Sequence, residues 1–155
     1  MNMQKIASFT VDHTKLKPGM YTSRVDGDVV TYDLRMRRPN CGDYLSNGVL
    51  HTFEHLFATY VRNTEYSDRI LYVGPMGCRT GFYLVVRDTI SPTQAIELMR
   101  KTCAFIAAFE GEIPGATEVE CGNYREQDLA GARIEAAHYG EVLRGWTPAQ
   151  LTYEA

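Results

Sequence analysis

The sequence lacks any apolar run that approaches the length of a membrane helix. About 20 consecutive apolar residues are needed to cross a bilayer, and the apolar stretches of this chain are much shorter. Residues 1–5 also lack the apolar block that marks a secretory signal. We therefore expect a cytoplasmic protein with no membrane partner.

A surplus of positive charge is missing as well. The chain has 16 Lys and Arg against 19 Asp and Glu, a formal net charge of -3. Proteins that bind nucleic acid must neutralise phosphates, so we expect no nucleic-acid partner. The one local cationic cluster is Arg35-Met36-Arg37-Arg38, which is either the solvated edge of a strand or an anchor for a small anion.

Cysteine is sparse, and no two cysteines stand close enough in sequence to form a CxxC pair. The four are Cys41, Cys78, Cys103 and Cys121. In a reducing compartment they are thiols, available as metal ligands or nucleophiles. Cys103 shares the helical spacing of Met99 and Ile106, which predicts a buried packing residue.

The length of the chain predicts a single globular domain over residues 1–155, with one core. Alternating segments predict strands at 6–11, 21–25, 29–36, 69–73 and 81–87, with a short extended piece at 117–121. Helices are predicted at 47–62, 91–110 and 126–138. Asp26-Gly27 predicts a hairpin turn, and Ser91-Pro92 predicts a capped helix start. Residues 140–155 are too irregular to assign.

The first predicted helix carries a motif that can bind a metal: His51, Glu54 and His55 stand at i, i+3 and i+4. That spacing places all three side chains on one face of the helix at 47–62. Two imidazoles are typical ligands of a divalent transition metal, and an adjacent carboxylate can transfer protons. The same spacing also arises by chance on a helix whose other residues are core.

A catalytic metal needs a third protein ligand and one open position. The candidates are Cys121, Cys78, His13, His138 and several glutamates. Cys121 precedes Gly122, which allows a close approach of the backbone, and we assign it to the metal. Cys78 lies in the glycine-rich segment 74–80 beside Arg79, a setting that favours thiolate, and we assign it to proton transfer. The alternative interpretation is that either cysteine is an inert turn residue without a chemical role.

Several blocks together resemble the S-ribosylhomocysteine lyases of the LuxS family, and they occur in that family's order. The blocks are SFTVDH at 8–13, YDLR at 32–35, RPN at 38–40, HTFEHLFA at 51–58, PMGCRTGFY at 75–83, and ECG at 120–122 followed by DL at 128–129. The conjunction is far more specific than any one block, and it spans the chain from Ser8 to Leu129.

The resemblance implies a role for each matching residue. It implies a metal bound by His51, His55 and Cys121, an acid/base pair of Glu54 and Cys78, and substrate contacts from Ser8, His13 and Arg35. It also implies an α+β homodimer with helices on one side of an antiparallel sheet. The two active sites would lie at the subunit interface, partly lined by N-terminal residues of the partner.

The reaction that the resemblance implies is cleavage of S-ribosyl-L-homocysteine to L-homocysteine and 4,5-dihydroxy-2,3-pentanedione. The second product is the precursor of autoinducer-2 in quorum sensing, and the reaction also recycles a by-product of the activated methyl cycle. The resemblance implies one iron(II) per subunit, replaceable by zinc or cobalt. A His2Cys ligand set with one open position suits both zinc and ferrous iron.

Two rival hypotheses fit the same helix motif. The letters H-x-x-E-H also occur in inverzincin-type metallopeptidases, in which the glutamate activates water. The motif is equally compatible with a metal that only stabilises an interaction domain. Such a site would be closed by a fourth protein ligand.

Overall fold

The computed structural model describes residues 2–154, which form a four-stranded antiparallel sheet and three α-helices. The strands are β1 (Gly19–Asp26), β2 (Val29–Arg35), β3 (Ile70–Pro75) and β4 (Gly81–Arg87). Their order across the sheet is β1-β2-β4-β3. The helices are α1 (Asn47–Val61), α2 (Pro92–Ala108) and α3 (Leu129–Val142). The predicted α+β class is confirmed.

The first hairpin forms where the sequence predicts it. Gly27 has a φ of 60°, which a glycine adopts without strain. The turn sets the register of β1 against β2, with Asp26 opposite Val29 and Val25 opposite Val30. Because register fixes which side chains share a face, this turn determines how the rest of β2 is oriented.

One face of the sheet forms the core with α1. Leu34, Phe82 and Leu84 are completely buried on that face, and the ring of Phe53 from α1 lies 4.9 Å from the ring of Phe82. Burial of each such side chain contributes about 1.5–3 kcal/mol. The alternate residues of β2, among them Asp33, point to the opposite face. This packing fixes the orientation of α1 and therefore of its polar side.

Each α-helix begins at a capping side chain. Ser46 accepts a hydrogen bond from the backbone of α1, and Ser91 forms a capping box with Gln94 at the start of α2, as predicted. Asp128 caps α3 by accepting from the Gly131 N–H at 2.8 Å. The third helix therefore begins at Leu129, later than the predicted 126, and continues to Val142. No helix in residues 2–154 could span a membrane.

The predicted strand at 6–11 is wrong. The segment contains a short 3-10 helix, Ala7–Phe9, followed by turns. The Thr10 hydroxyl donates to the Ala7 carbonyl at 2.6 Å, and the Asp12 carboxylate accepts from the backbone N–H of Thr14 at 3.0 Å. Such local side-chain bonds compete with extended structure, and the apolar alternation of the segment does not reflect burial, since Phe9 is 68% exposed.

The predicted extended piece at 117–121 is also wrong. The backbone N–H groups of Glu120 and Cys121 both donate to the Thr117 carbonyl, at 3.1 and 3.0 Å, which closes a tight turn. Cys121 is therefore presented by a loop. At the C-terminus, a 3-10 helix, Pro148–Leu151, packs on β1, and Leu151 is buried.

Candidate active site

His51, His55 and Cys121 converge on one point. The Cys121 Sγ lies 3.3 Å from His51 Nε2 and 3.9 Å from His55 Nε2, and the three ligand atoms lie within 4.8 Å of one another. The histidines come from consecutive turns of α1, whereas the cysteine comes from the 117–121 turn. The described residues thus place together three groups that the sequence separates by up to 70 positions.

Backbone carbonyls orient both imidazoles toward this point. His51 Nδ1 lies 2.8 Å from the Glu126 carbonyl, and His55 Nδ1 lies 2.7 Å from the Pro114 carbonyl. A carbonyl oxygen can only accept, so each Nδ1 carries the proton and each Nε2 keeps a free lone pair. Gly115, with a φ of +71°, allows the second contact, because a Cβ there would stand 3.2 Å from His55 Nδ1.

The spacing of these three atoms fits a tetrahedral metal ion. With metal–nitrogen bonds of ~2.0–2.1 Å and metal–sulfur bonds of ~2.3 Å, neighbouring nitrogen and sulfur ligands stand about 3.6 Å apart. The two observed nitrogen–sulfur distances, 3.3 and 3.9 Å, lie on either side of that value. Within residues 2–154 the cluster comprises three candidate ligands. Three ligands leave one position open for substrate, as in catalytic sites.

A polar cluster behind His51 ties the metal helix to α3. The Thr52 hydroxyl donates to Gln127 Oε1 at 2.7 Å and accepts from the Asp128 N–H at 2.9 Å. The Gln127 amide nitrogen also lies 3.2 Å from His51 Nδ1, a contact between two donors and therefore not a hydrogen bond. Thr52 is fully buried. These bonds fix the loop that supplies the Glu126 carbonyl, and hence the orientation of the His51 ring.

Glu54 lies beside the metal ligands in an open cleft. It lines a cavity of about 440 Å³ together with His55, Arg62, Tyr72 and Pro114. The carboxylate is partly buried and is not one of the clustered ligands. Its place on α1 follows from the i+3 spacing after His51. This position suits a group that exchanges protons with a molecule bound at the metal.

Cys78 is exposed in the turn between β3 and β4. Its Sγ lies 3.0 Å from the Thr80 hydroxyl. The neighbouring Arg79 has a φ of 61°, and its guanidinium lies over the Tyr44 ring and donates to the Leu45 carbonyl at 3.4 Å. Thr80, rather than Arg79, is therefore the polar side chain in contact with the thiol.

The three residues expected to contact substrate line one cavity with Cys78. This cavity has a volume of about 350 Å³, and its walls include Ser8, His13, Arg35, Cys78 and Thr80. The 3-10 turn at Ala7–Phe9 carries Ser8 to the cavity. His13 is oriented by a 2.8 Å contact between its Nδ1 and the Val11 carbonyl. The cavity is large enough for a small metabolite.

Arg35 is buried and makes charge-assisted hydrogen bonds. Its Nε and Nη2 donate to the two oxygens of Asp33 at 3.1 and 2.7 Å, and its Nη1 donates to the Thr80 hydroxyl at 2.8 Å. Burial alone would lower the pKa of Arg35, but the hydrogen bonds and charge of Asp33 outweigh it and raise that pKa. Arg35 is therefore a permanent cation in the wall of the cavity, not a solvated arginine at a strand edge.

The cavity that contains Cys78 and the cleft that contains Glu54 are separate in one chain. None of the residues that line the first also lines the second. Between them, near the outer face of the sheet, lies a shallow third depression that includes Ile6, Ser8, Tyr72 and Tyr83. One chain thus presents two halves of the predicted set of site residues, each open to solvent.

Some polar residues of the site were not predicted from the sequence. They are Asp33, Thr52, Thr80, Gln127 and Tyr153. Asp33 stands two residues before Arg35 on β2, a spacing that indicates a shared face, whereas Thr80 lies two residues after Cys78 in the turn that precedes β4. No sequence signal connects Gln127 to His51 or Tyr153 to Asp33, because those contacts depend on the packing of loops.

Comparisons with known proteins give one consistent result. Residues 6–148 match the model of the family described as S-Ribosylhomocysteinase (LuxS). An S-ribosylhomocysteine lyase of Desulfotalea psychrophila is 47% identical over 157 residues, which cover 97% of this chain and 99% of the relative. The S-ribosylhomocysteine lyase of Phocaeicola vulgatus is 48% identical, and the match covers 97% of this chain and 98% of that relative. The one of Clostridium beijerinckii is 43% identical, and the match covers 97% of this chain and 99% of that relative.

Proposed function

This chain belongs to the S-ribosylhomocysteinase (LuxS) family, and on that premise we propose that it is an S-ribosylhomocysteine lyase. It cleaves S-ribosyl-L-homocysteine to L-homocysteine and 4,5-dihydroxy-2,3-pentanedione, the autoinducer-2 precursor. The observation that carries this proposal is the convergence of His51, His55 and Cys121 on one point beside Glu54. The peptidase hypothesis is set aside, because the third ligand is a cysteine and the relatives are lyases.

The substrate poses a problem that the site residues can solve. Its carbon–sulfur bond, at C5 of the ribose, is not activated by the carbonyl group at C1. The carbonyl must first move to C2 and then to C3, after which the proton on C4 becomes acidic. Removal of that proton expels homocysteine as a β-leaving thiolate from C5, and the thiolate then takes up a proton. A divalent metal bound by His51, His55 and Cys121 would act as a Lewis acid toward the negative charge that develops on the sugar oxygens.

Glu54 and Cys78 are proposed as the two proton-transfer groups. Each carbonyl shift removes a proton from one carbon and returns one to its neighbour, so a base must also become an acid. The Glu54 carboxylate is next to the metal ligands without being one of them. The Cys78 thiol is exposed toward the other cavity, with the Thr80 hydroxyl beside it. The two groups come from separate elements, which allows them to work on different faces of the sugar.

Ser8, His13 and Arg35 are proposed to hold the part of the substrate that does not react. They line the cavity of about 350 Å³ next to Cys78. Arg35 keeps N–H groups beyond those used by Asp33 and Thr80, since a guanidinium has five. Its fixed charge suits the carboxylate of the homocysteine moiety. Ser8 and His13 add further polar contacts.

We propose that the active site is completed between two copies of the chain. The separation of the Cys78 cavity from the Glu54 cleft supports this arrangement, because a single substrate must reach both. The exposed apolar residues beside these cavities support it too: Ile6, Phe9 and Tyr72 are 57%, 68% and 54% exposed. In a two-fold dimer each half-site would meet the complementary half of its partner.

We further propose iron(II) as the native metal, one per subunit, with zinc or cobalt able to replace it, and the cytoplasm as the compartment. A His2Cys set with an open position accommodates all three ions. The cytoplasm is supported by Cys41 and Cys78, which are free and exposed thiols. Thiols in that state persist in a reducing environment.

The direct test is incubation of anaerobically purified, metal-loaded protein with S-ribosyl-L-homocysteine while free thiol is followed. We expect one homocysteine released for each substrate consumed, and a dicarbonyl product in equal amount. S-ribosyl-L-homocysteine reduced at C1 to the alcohol is the matched control, since it has no carbonyl to migrate. The proposal is wrong if metal-loaded protein releases no homocysteine, or if the reduced substrate is cleaved equally well.

A further inference from the structure

A continuous line of hydrogen bonds leads from the C-terminal segment to the Cys78 thiol. The Tyr153 hydroxyl donates to Asp33 Oδ2 at 2.7 Å, and Asp33 accepts two bonds from Arg35. Arg35 Nη1 donates to the Thr80 hydroxyl at 2.8 Å, and that hydroxyl lies 3.0 Å from Cys78 Sγ. The proposed catalytic roles of Arg35 and Cys78 do not require Tyr153.

The direction of the bond between Arg35 and Thr80 is fixed. A guanidinium has donors and no acceptors, so Arg35 must donate to the Thr80 oxygen. The hydrogen of the Thr80 hydroxyl is then free to point at Cys78 Sγ. A hydroxyl polarised by a buried cation is a strong donor. A hydroxyl that donates to the sulfur stabilises negative charge that develops on it and holds the sulfur in one place.

At the C-terminal end of this series of hydrogen bonds, the Tyr153 hydroxyl must stay protonated to donate to Asp33. Tyr153 is partly buried, and its ring stacks on Tyr21 with centroids 5.1 Å apart. Burial and the nearby charge of Asp33 raise the pKa of Tyr153 above its ordinary value. Its hydroxyl therefore remains a donor to Asp33. Because the Asp33 side chain is 2% exposed, this bond occupies an acceptor site that water cannot readily reach.

We propose that Tyr153 is a positioning residue for Cys78, acting through Asp33, Arg35 and Thr80. The Tyr153 hydroxyl holds the Asp33 carboxylate, the carboxylate holds the Arg35 guanidinium, and the guanidinium orients the Thr80 hydroxyl toward the sulfur. The C-terminal segment thereby affects a thiol in the β3–β4 turn. The importance of this effect for catalysis rests on the role proposed above for Cys78, but the hydrogen-bond line itself is independent of turnover.

The test measures the reactivity of the Cys78 thiol in metal-loaded protein. Iodoacetamide is added at pH 7, and mass spectrometry follows the tryptic peptide 70–79, which contains Cys78 as its only cysteine. We expect Thr80→Val to slow alkylation about fivefold, the effect of one lost hydrogen bond. Tyr153→Phe keeps the ring stack and should slow it about threefold. Thr80→Ser, which keeps the hydroxyl, should restore most of the rate lost in Thr80→Val.

Tyr21→Phe is the matched control for Tyr153→Phe. The Tyr21 hydroxyl donates to the Lys17 carbonyl at 2.8 Å, so Tyr21→Phe removes a hydroxyl from the other ring of the same stack and leaves the Tyr153–Asp33 bond in place. We expect the native alkylation rate in this variant. A native rate in Tyr153→Phe would overturn the proposal, and so would equal slowing in Tyr21→Phe and Tyr153→Phe. Because the experiment uses no substrate, the alkylation rates test the role of Tyr153 whether or not the protein proves to be a lyase.

Discussion

At the scale of single residues, the proposed chemistry depends on which nitrogen of each histidine would face a cation. The Glu126 and Pro114 carbonyls fix that choice for His51 and His55. The third ligand has a different status, since Cys121 is held by a turn rather than by a helix. Its sulfur is the one soft donor of the set, and two imidazoles alone bind a divalent ion much more weakly.

Replacement of this sulfur should therefore remove the metal. We expect Cys121→Ala to lower affinity for zinc at least 100-fold and to abolish homocysteine release, because two protein ligands remain. Affinity is measured by competition with a chromogenic chelator. Cys41→Ala is the control, since Cys41 is exposed and is not part of the His51, His55 and Cys121 cluster. Stoichiometric, tightly bound zinc in Cys121→Ala would contradict the ligand assignment.

Glu54 should separate metal binding from turnover. Glu54→Gln keeps the size of the side chain but cannot exchange a proton near neutral pH. We expect a full equivalent of metal with homocysteine release reduced at least 100-fold, in the range of lost general acid–base catalysis. Metal analysis and the thiol assay measure the two effects. The control is Glu118→Gln, because Glu118 is an exposed turn residue, and this variant should keep both the bound metal and homocysteine release. Near-native turnover in Glu54→Gln would refute the proposed proton-transfer role of Glu54.

The individual site residues show what sequence can and cannot predict. Glu54 follows from helical spacing after His51, and the structure places it beside the ligands. Cys121 lies in one cluster with His51 and His55, but it comes from a turn and not from the predicted extended segment. The contact between Gln127 and His51 has no local signal. Pairs that meet across loops depend on tertiary packing, which periodicity does not encode.

At the scale of elements, α3 anchors the segment that precedes α1. Arg37 follows β2 and forms a bidentate pair with Glu135 of α3, through Nη1 at 2.8 Å and through a second, shorter bond from Nη2. The Arg37 side chain is 16% exposed and that of Glu135 12%. The pair holds residues 36–46, part of which forms the wall of the Cys78 cavity.

Loss of one partner of this Arg37–Glu135 pair should lower the stability of the protein. We expect Glu135→Ala to lower the free energy of unfolding by about 2 kcal/mol, less than for a fully buried pair because both side chains touch solvent. Urea denaturation measures the change. The double variant Arg37→Met/Glu135→Leu should recover most of it, since no charge is left unpaired. Glu141→Ala, in an exposed pair with Arg144, should leave the midpoint unchanged. A negligible effect of Glu135→Ala would argue against this anchor.

The elements themselves were predictable where local signals agree with tertiary packing. The β1–β2 hairpin and the capped start of α2 were predicted from Asp26-Gly27 and Ser91-Pro92. The strand predicted at 6–11 fails because its apolar residues Ile6 and Phe9 are exposed in one chain. Periodicity reports burial, and it cannot distinguish burial inside a subunit from an apolar surface that another molecule would cover.

At the scale of the whole molecule, the proposed dimer makes a quantitative prediction. Glu54→Gln and Cys78→Ala subunits are each expected to form inactive homodimers. If each site combines Glu54 of one subunit with Cys78 of the other, a heterodimer has one intact site and one doubly altered site. Random mixing should then restore about a quarter of native activity, because about half of the dimers are mixed.

This complementation distinguishes a shared site from one contained in a single chain. The subunits are unfolded in denaturant, mixed in equal amounts, refolded with metal and assayed for homocysteine. Each variant refolded alone provides the baseline. If both groups acted within one subunit, every site in the mixture would carry one of the two substitutions, and activity would stay at that baseline.

The central claim, that a cation on His51, His55 and Cys121 drives release of homocysteine, is tested most directly by titration of metal-free protein with iron(II) under anaerobic conditions. Homocysteine release from S-ribosyl-L-homocysteine is measured at each addition. The initial rate should rise in proportion to added metal and reach its plateau at one equivalent per chain. Full activity before any metal is added, or no activity at one bound equivalent, would contradict the claim.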